Sequence, residues 1–488
     1  MNERPNILLI VTDEMRGDCM GNAGHPDVKT PYLDSLAQMG VRFPHAYSPC
    51  PSCVPARAVL HTGLSPRHAG RVGYQDCVPW NYGCTMAGEL TRQGYQTHCV
   101  GKMHVYPSRS SMGFCSVELH DGYLHYGRFP GVDYSENQQV SDDYFYWLKN
   151  EKGIACDVTD SGVECNSWIA RPWPYEEPLH PTNWVASRCI DFLRRRDPRK
   201  PFFLMASFVR PHAPYDAPAC YFDLYRGRPL RKPLEGDWDR PDWRHTFGPA
   251  YNSPTGPEDP ELIRQQQIGY YACITHLDHQ IGRIWMSLVE HGLRDNTVIL
   301  FVSDHGEMLS DHCWCHKSLP YQGSIHIPLL IAGPRQYIGR PGRTSDALAS
   351  LQDIMPTVLS LAGAPVPPHL DGENLLGAPQ RTWLHGEHVF RFQNRSSQFI
   401  VTRRDKYIWF SQTGEEQYFD LETDPGETCN AIDNPACRQR AALLRSHLAE
   451  ALAGSEEGYS DGSRLIVGRP PQECLSNATL PNVPPENL

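Results

Sequence analysis

The chain carries a cysteine, a proline and an arginine at two-residue spacing, in a stretch that then turns apolar and ends at a glycine (Cys53, Pro55, Arg57 and Gly63). Pro55 suits the first turn of a helix, where its missing N–H costs nothing, and Gly63 suits a helix end. Cys53 would then lie at the helix N-terminus, where free N–H groups and the helix dipole favour anions. Arg57 adds a cation whose fork suits tetrahedral oxyanions. The stretch therefore predicts a cysteine within an anion-binding site.

Charged side chains also follow several apolar runs, at the point where each run ends. They are Asp13, Lys102, His212, Asp304 and His305. Taken singly, each has an ordinary structural explanation, such as capping a helix or lying solvated in a loop. Four such segments are harder to explain together, because ligands of open parallel sheets bind beyond the carboxyl ends of the strands. We expect these side chains to meet at one edge of a sheet.

Apolar runs alternate with amphipathic segments, which predicts an α/β fold. The runs expected to form buried strands cover residues 6–11, 95–100, 202–208 and 298–302. Helices are expected between Thr30 and Gly40 and over residues 86–93, 184–196 and 261–291. This alternation implies a large, mainly parallel sheet with helices on both faces. Long loops are expected over residues 106–181, strands over 399–410, a helix over 437–452, and an irregular tail after Gly454.

Length and charge exclude several functional classes. A chain of 488 residues is long enough for one large domain and a smaller one. The formal net charge of −11 argues against a nucleic-acid partner, because such partners require basic surfaces. No apolar run approaches the ~20 residues of a membrane span, and the first run lacks a small-residue cleavage site, so we expect no signal peptide. The 17 scattered cysteines favour reduced thiols, and we expect a cytoplasmic protein.

The stretch at Cys53 resembles the signature of the type I sulfatases, Cys-x-Pro-x-Arg followed by Thr-Gly, although Ala56 stands where that family usually has serine. Further family motifs follow in order up to about residue 430. They are Gly101-Lys-Met-His104, Pro211-His-Ala-Pro214, Ser303-Asp-His-Gly306, Lys317, and Tyr418-Phe-Asp-Leu421 with Asp424-Pro-Gly-Glu427. The resemblance implies an alkaline phosphatase-like fold: a catalytic α/β domain over residues 1–375 and a smaller C-terminal α+β domain with an irregular tail over residues 376–488.

The resemblance also implies a mechanism. A maturation enzyme oxidises Cys53 to formylglycine, and one hydroxyl of the hydrated aldehyde attacks the sulfur of a small anionic sulfate ester and expels the alcohol. The second hydroxyl then loses its proton, which releases sulfate and restores the aldehyde. The residues implied in catalysis are Cys53, Arg57, Lys102, His104, His212 and Lys317. Among them, His212 is expected to protonate the leaving oxygen and His104 to assist deprotonation of the hydrate, although these two roles could be exchanged.

A divalent metal beside the nucleophile is the expected cofactor. The implied ligands are Asp13, Glu14, Asp304, His305 and the modified Cys53. Calcium is the family's usual metal, and the imidazole of His305 widens the choice to manganese, with magnesium a third candidate. Glu14 stands where many relatives carry aspartate or glutamine, so its ligation stays open.

Three other interpretations of the motifs remain. Phosphonate monoester and phosphodiester hydrolases of the same superfamily share the formylglycine motif and an Asp-His metal pair. A catalytically inactive binding homologue would keep the fold without the activity. Cys50 and Cys53 form a C-x-x-C pattern typical of redox or zinc sites, but no second pair follows at zinc spacing. The sulfatase interpretation, with an aryl sulfate or a small sulfated sugar as substrate, fits the motifs best, and it leaves both a monomer and a homo-oligomer open.

Overall fold

The structure is a computed structural model that describes residues 4–122, 141–154, 163–248, 250–390 and 395–479. Parts of the predicted loop segment (residues 123–140 and 155–162) and the end of the predicted tail lie outside the described residues. The strands are β1 (Asn6–Asp13), β2 (Gly40–Arg42), β3 (Ala46–Tyr47), β4 (Gln96–Gly101), β5 (Ser116–Leu119), β6 (Phe202–Pro211), β7 (Thr297–Ser303), β8 (Leu329–Ala332), β9 (Arg343–Thr344), β10 (Ala349–Ser350), β11 (Leu384–Phe390), β12 (Arg395–Val401), β13 (Asp405–Phe410) and β14 (Glu416–Asp420).

A mixed, mainly parallel sheet of eight strands forms the centre of the described molecule. Its strand order is β5-β4-β6-β1-β7-β8-β2-β9. The strands from β5 to β7 run parallel to one another, whereas β8 is antiparallel to both β7 and β2. All eight residues of β1 are buried, as expected for a central strand covered on both faces. The predicted α/β fold with a large, mainly parallel sheet is confirmed.

Helices cover both faces of this sheet. They are α1 (Pro31–Gln38), α2 (Cys53–Thr62), α3 (Met86–Arg92), α4 (Asp143–Tyr146), α5 (Pro181–Arg195), α6 (Ala219–Asp223), α7 (Trp243–Phe247), α8 (Pro260–Glu290), α9 (Gln322–Ile325), α10 (Arg335–Ile338), α11 (Ile354–Leu361), α12 (Arg438–Ala451) and α13 (Ser476–Thr479). One hydrophobic core joins α1, α5 and α8 to one face of the sheet. A second core joins α2, α3 and α11 to the other face.

A separate antiparallel sheet follows in the chain, with the order β11-β12-β13-β14. Helix α12 packs on this sheet through Leu444 and Leu448, which contact a core that includes Trp409. This arrangement matches the predicted strands and helix of the C-terminal region, while the boundary at residue 375 stays a prediction. Among the described helices, none combines the length and the apolar composition needed to cross a bilayer.

Candidate active site

Strands β4, β6, β1 and β7 lie side by side in the large sheet, and the predicted site residues come at their carboxyl ends. Asp13 is the last residue of β1 and pairs with Pro211, the last residue of β6. Lys102, His212 and Asp304 follow directly after β4, β6 and β7. Because all four strands are parallel, their ends meet at one edge of the sheet, as the sequence predicted.

The helix that carries Cys53 begins at this edge. Ser52 is extended, Cys53 is the first residue of α2, and the helix ends at Gly63 in the left-handed conformation with φ 68°. The Cys53 thiol is fully buried and lies 3.5 Å from Asp13 Oδ1. Its sulfur is also 3.3 Å from His305 Nε2. The N-terminus of α2 therefore presents Cys53 to the carboxylate and imidazole that follow β1 and β7.

Burial makes Cys53 a poor nucleophile as a thiol. Desolvation, reinforced by the carboxylate of Asp13, raises the pKa of Cys53 to about 11. Because the thiolate is the reactive form of cysteine, the side chain would stay protonated and inert at neutral pH. In the metal-free protein the free thiol is therefore not an activated nucleophile.

Arg57 and Lys102 bring buried positive charge to the same point. The Arg57 Nε donates to Asp304 Oδ2 at 2.9 Å, and its Nη1 donates to the Lys102 carbonyl at 2.7 Å and to Ser207 Oγ at 3.0 Å. The Lys102 ammonium contacts the carboxylate of Asp13. Although burial raises the pKa of Asp13, Lys102 and the nearby cations more than offset this and hold it well below its usual range. The two cations are thus fixed by fully buried carboxylates.

One amino group of the Arg57 guanidinium is available to bind a ligand. Its Nη2 has no hydrogen-bond partner among the described residues, and it lies 3.9 Å from Asp13 Oδ2. Buried N–H groups are normally hydrogen-bonded. An oxyanion bound beside Cys53 would supply the missing acceptor.

Lys317, His212 and Glu14 form a second charged contact at the edge. The Lys317 ammonium contacts His212 Nε2 and lies 3.2 Å from Glu14 Oε1. His212 Nδ1 is 2.8 Å from the carbonyl of Ala213, so Nδ1 carries the proton and Nε2 accepts from Lys317. Burial, together with the charge of Lys317, lowers the pKa of His212 well below its usual range. The histidine is therefore neutral, and the proton at this contact resides on Lys317.

His104 is buried with a positive φ of 58°. Its backbone N–H donates to Asp121 Oδ1 at 3.0 Å, its Nε2 lies 3.7 Å from Asp76 Oδ2, and its ring packs edge-on against Tyr74. The backbone contact, which Met103 shares, fixes the turn that follows β4. Asp121 was not expected from the sequence, because it lies outside the recognised motifs.

Among the residues that the structure describes, the atoms suited to hold a metal fall into two groups. Oxygen, nitrogen and sulfur atoms of Asp13, Cys53, Asp304 and His305 lie within 4.8 Å of one another and are buried. Two carboxylates and an imidazole fit a divalent cation, so the donor set matches the expected metal. Glu14 is not in this group and lies with Glu307 and His316, and its carboxylate contacts Lys317 at 3.2 Å and lies 3.4 Å from His212 Nε2.

Two further residues position the site without having been predicted. Ser207 holds Arg57 from within β6, and the only signal was a polar residue in an apolar run. The Tyr270 hydroxyl donates to the carbonyl of Glu14 at 2.7 Å and accepts the N–H of Arg16 at 3.0 Å. Tyr270 lies in the middle of α8, where nothing in the sequence distinguishes it from a core aromatic residue.

The sequence matches a known protein family over most of its length, since a model described as Sulfatase covers residues 5–364. The chain belongs to the sulfatase family. A second model, described as the C-terminal region of N-sulphoglucosamine sulphohydrolase, matches residues 310–453. These matches confirm the resemblance drawn from the motifs, and with it the class of sulfuric ester hydrolases.

Individual relatives agree with this assignment. An arylsulfatase of Clostridium perfringens is 47% identical over 96% of this chain and 98% of its own. A choline-sulfatase of Rhizobium meliloti is 30% identical over 88% of this chain and 83% of its own. The crystal structure of a phosphonate monoester hydrolase of Agrobacterium radiobacter has a TM-score of 0.72 at 26% identity, over 90% of this chain and 93% of the other. The fold is therefore shared with hydrolases of both sulfate and phosphonate esters.

Proposed function

We propose that this sulfatase hydrolyses a small sulfate monoester with Cys53 converted to formylglycine as its nucleophile. The observation that carries the proposal is the buried group around Cys53: Asp13, Asp304 and His305 contribute its remaining ligand atoms, and Arg57 and Lys102 contact its carboxylates. The high pKa of the Cys53 thiol supports the need for conversion. The aldehyde hydrate offers two hydroxyls, one to attack sulfur and one through which sulfate leaves.

The buried cations are proposed to bind the sulfate. Arg57 Nη2 would donate to one non-bridging oxygen, and Lys102 would stabilise charge on the nucleophile and on the substrate. Because both are held by carboxylates before the substrate arrives, they need no reorganisation during the reaction. Removing one such preorganised donor typically lowers kcat by ~10²–10³-fold.

The leaving oxygen needs a proton, and the Lys317–His212 pair is proposed to supply it. Lys317 carries the proton and His212 Nε2 accepts from it, so His212 would act by relaying or orienting this proton. This refines the expectation that His212 alone is the acid. His104, which follows Lys102 by two residues in the chain, is proposed to assist deprotonation of the hydrate.

A divalent metal would be held by Asp13, Asp304, His305 and the modified Cys53. When bound, it would supply a positive charge that holds a substrate oxygen and lowers the pKa of the hydrate. Calcium is the proposed ion, and the nitrogen ligand from His305 makes manganese the alternative to test. The described cysteines are free thiols, which suits the reducing cytoplasm in which we propose that the enzyme works.

The test compares two model esters. Converted protein is assayed on p-nitrophenyl sulfate and p-nitrophenyl phenylphosphonate, each with calcium and with manganese. The proposal expects faster sulfate hydrolysis, which Cys53→Ala abolishes and Cys50→Ala preserves. Cys50 is a matched control, because it is also buried and lies three residues away. A clear preference for the phosphonate, the substrate class named for the Agrobacterium neighbour, would contradict the proposal.

A further inference from the structure

A buried ion pair closes the short loop that carries His212. The loop begins at Arg210, near the end of β6, and ends at Asp216. The Arg210 guanidinium donates from Nε to Asp216 Oδ1 and from Nη2 to Asp216 Oδ2, both at 2.6 Å. The Arg210 side chain is 2% exposed, and the Asp216 side chain is fully buried. In this bidentate geometry, two parallel hydrogen bonds fix the orientation of both partners.

His180 fixes the carboxylate of this pair from a second side. Its Nδ1 accepts the N–H of Thr182 at 3.1 Å, so its Nε2 carries the ring proton and donates to Asp216 Oδ1 at 3.3 Å. Burial lowers the pKa of His180, which keeps the ring neutral at neutral pH. His180 also caps the N-terminus of α5, a helix that packs in the core against the sheet. The loop is therefore tied to a helix as well as to β6.

His212 lies between the two residues of the ion pair. On the β6 side its backbone is fixed, because its N–H donates to the carbonyl of Asp13 at 3.1 Å. On the other side, the carbonyl of Tyr215 accepts the N–H of Arg171 at 3.1 Å. The ion pair joins these two sides directly. It therefore sets the span of the loop, and with it the place at which the imidazole of His212 meets Lys317.

The contact between His212 and Lys317 depends on where the loop lies. His212 Nε2 contacts the Lys317 ammonium, while Nδ1 bonds to the carbonyl of Ala213 in the same loop. A displaced loop would thus move the ring and its acceptor together, away from Lys317. A shift of 1 Å in a catalytic group can lower activity ~10²-fold. The alignment of the proposed proton donor therefore requires a loop that is held firmly.

The ion pair acts through position and not through charge, because its two charges cancel. Although burial raises the pKa of Asp216, Arg210 and His180 more than offset this and lower it to about 2. The pair therefore stays ionised at any pH at which the enzyme would be assayed. Its geometry is accordingly the same in every protonation state of the neighbouring site.

We propose that the ion pair between Arg210 and Asp216 positions His212, and through it the proton of Lys317, for protonation of the leaving oxygen. This inference rests on the proposed function and deepens it. Arg210 and Asp216 are positioning residues, since they act through His212 and do not touch the substrate. Breaking the pair should therefore slow esters whose leaving group needs a proton more than esters whose leaving group departs as a stable anion.

Two aryl sulfates separate a lost proton donor from a general loss of activity. Phenolate is a stronger base than p-nitrophenolate, so phenyl sulfate gains more from a general acid, which typically contributes ~10²–10⁴-fold. In converted, full-length protein, Arg210→Lys and Asp216→Asn should lower kcat/KM by ~10²-fold on phenyl sulfate and much less on p-nitrophenyl sulfate. His212→Gln should show the same selectivity. Adding Arg210→Lys to His212→Gln should lower kcat/KM no further, because the effects of coupled residues do not add.

Arg381 and Asp353 provide a matched control. Their ion pair is also bidentate, with distances of 2.6 and 2.8 Å, and the Asp353 side chain is fully buried. Arg381→Lys should lower the thermal midpoint, as Arg210→Lys does, without changing the ratio of the two rates. If Asp216→Asn does not fold, Arg210→Met combined with Asp216→Leu replaces it, because apolar residues of similar volume can often replace a buried ion pair without loss of stability.

The outcomes distinguish this inference from the function on which it rests. An unchanged ratio of the two rates in the Arg210 and Asp216 variants would overturn the inference, even where both rates fall. A further loss on phenyl sulfate when Arg210→Lys is added to His212→Gln would overturn it equally. In both cases, hydrolysis by the wild type that Cys53→Ala abolishes would still support the proposed function. A converted wild type that cleaves neither sulfate would overturn the proposed function, and this inference with it.

Discussion

Gly101 is the residue at which a single methyl group should disturb both the fold and the proposed site. It ends β4 with a φ of +99°, and a Cβ added there would lie 1.9 Å from the carbonyl oxygen of Ser207. That oxygen accepts the N–H of Lys102 at 3.0 Å, and the Ser207 hydroxyl accepts from Arg57. A Gly101→Ala substitution must therefore push β4 away from β6 at the point that fixes both cations.

The magnitude follows from two separate effects. Positive φ costs a residue with a Cβ roughly 1–2 kcal/mol, and forcing an extra methyl group into a packed core costs about 1–3 kcal/mol. Because the two costs add, we expect Gly101→Ala to lower the free energy of unfolding by about 2–5 kcal/mol. A shift of 1 Å in a catalytic group can lower activity ~10²-fold, so kcat/KM should fall by about that factor.

Gly94 provides the matched control. It also has a positive φ, of +84°, but a Cβ added there meets nothing within 4 Å. Gly94→Ala should therefore show only the conformational cost, with kcat/KM unchanged. Urea unfolding and initial rates on p-nitrophenyl sulfate measure both variants. Equal stability and equal activity of the two variants would refute the argument that close packing against Ser207 positions the cations.

Three further predictions concern charge and metal. Arg57→Lys loses the fork that holds Asp304, so kcat/KM should fall by ~10²–10³-fold in initial-rate assays; an unchanged rate would remove Arg57 from catalysis. Burial lowers the pKa of His61 and His385 from 6.5 to about 3. The free energy of unfolding therefore holds its full value above pH 6.5 and falls at lower pH, by about 2 kcal/mol for each histidine at pH 5. In urea unfolding, the stability of His61→Phe should depend less on pH than that of the wild type. Chelation should abolish activity and lower the thermal midpoint, because a bound ion stabilises the native state, and added calcium or manganese should restore both.

The longer strands and helices could be predicted from the sequence, because burial alone sets their pattern of apolar residues. The apolar runs of β1, β4, β6 and β7 are continuous because these strands are buried on both faces, and their extents match the structure within a few residues. Long amphipathic helices such as α8 were equally clear. The short strands β2, β8 and β9 at one edge of the sheet were missed, because two to four residues show no periodicity that separates them from a loop.

The sequence predicted that the candidate site residues lie close together, but it did not predict the geometry of their side chains. Asp13, Cys53, Asp304 and His305 were expected together and lie together, since parallel strands bring their ends to one edge. The side chain of Glu14 could not be placed from the sequence, because its backbone adopts a positive φ of 69° that no local pattern predicts. The proton on Lys317 and the neutral state of His212 depend on burial and on a contact between residues 105 positions apart, which no local pattern encodes.

Conversion of Cys53 is the central claim, and peptide mass spectrometry tests it most directly. Trypsin releases residues 43–57, which contain both Cys50 and Cys53, and fragmentation assigns any change to one of them. Protein made with a formylglycine-generating enzyme should show the aldehyde at Cys53 and an intact thiol at Cys50, and the converted fraction should scale with the rate on p-nitrophenyl sulfate. An unmodified Cys53 in protein that hydrolyses the sulfate ester at full rate would contradict the account.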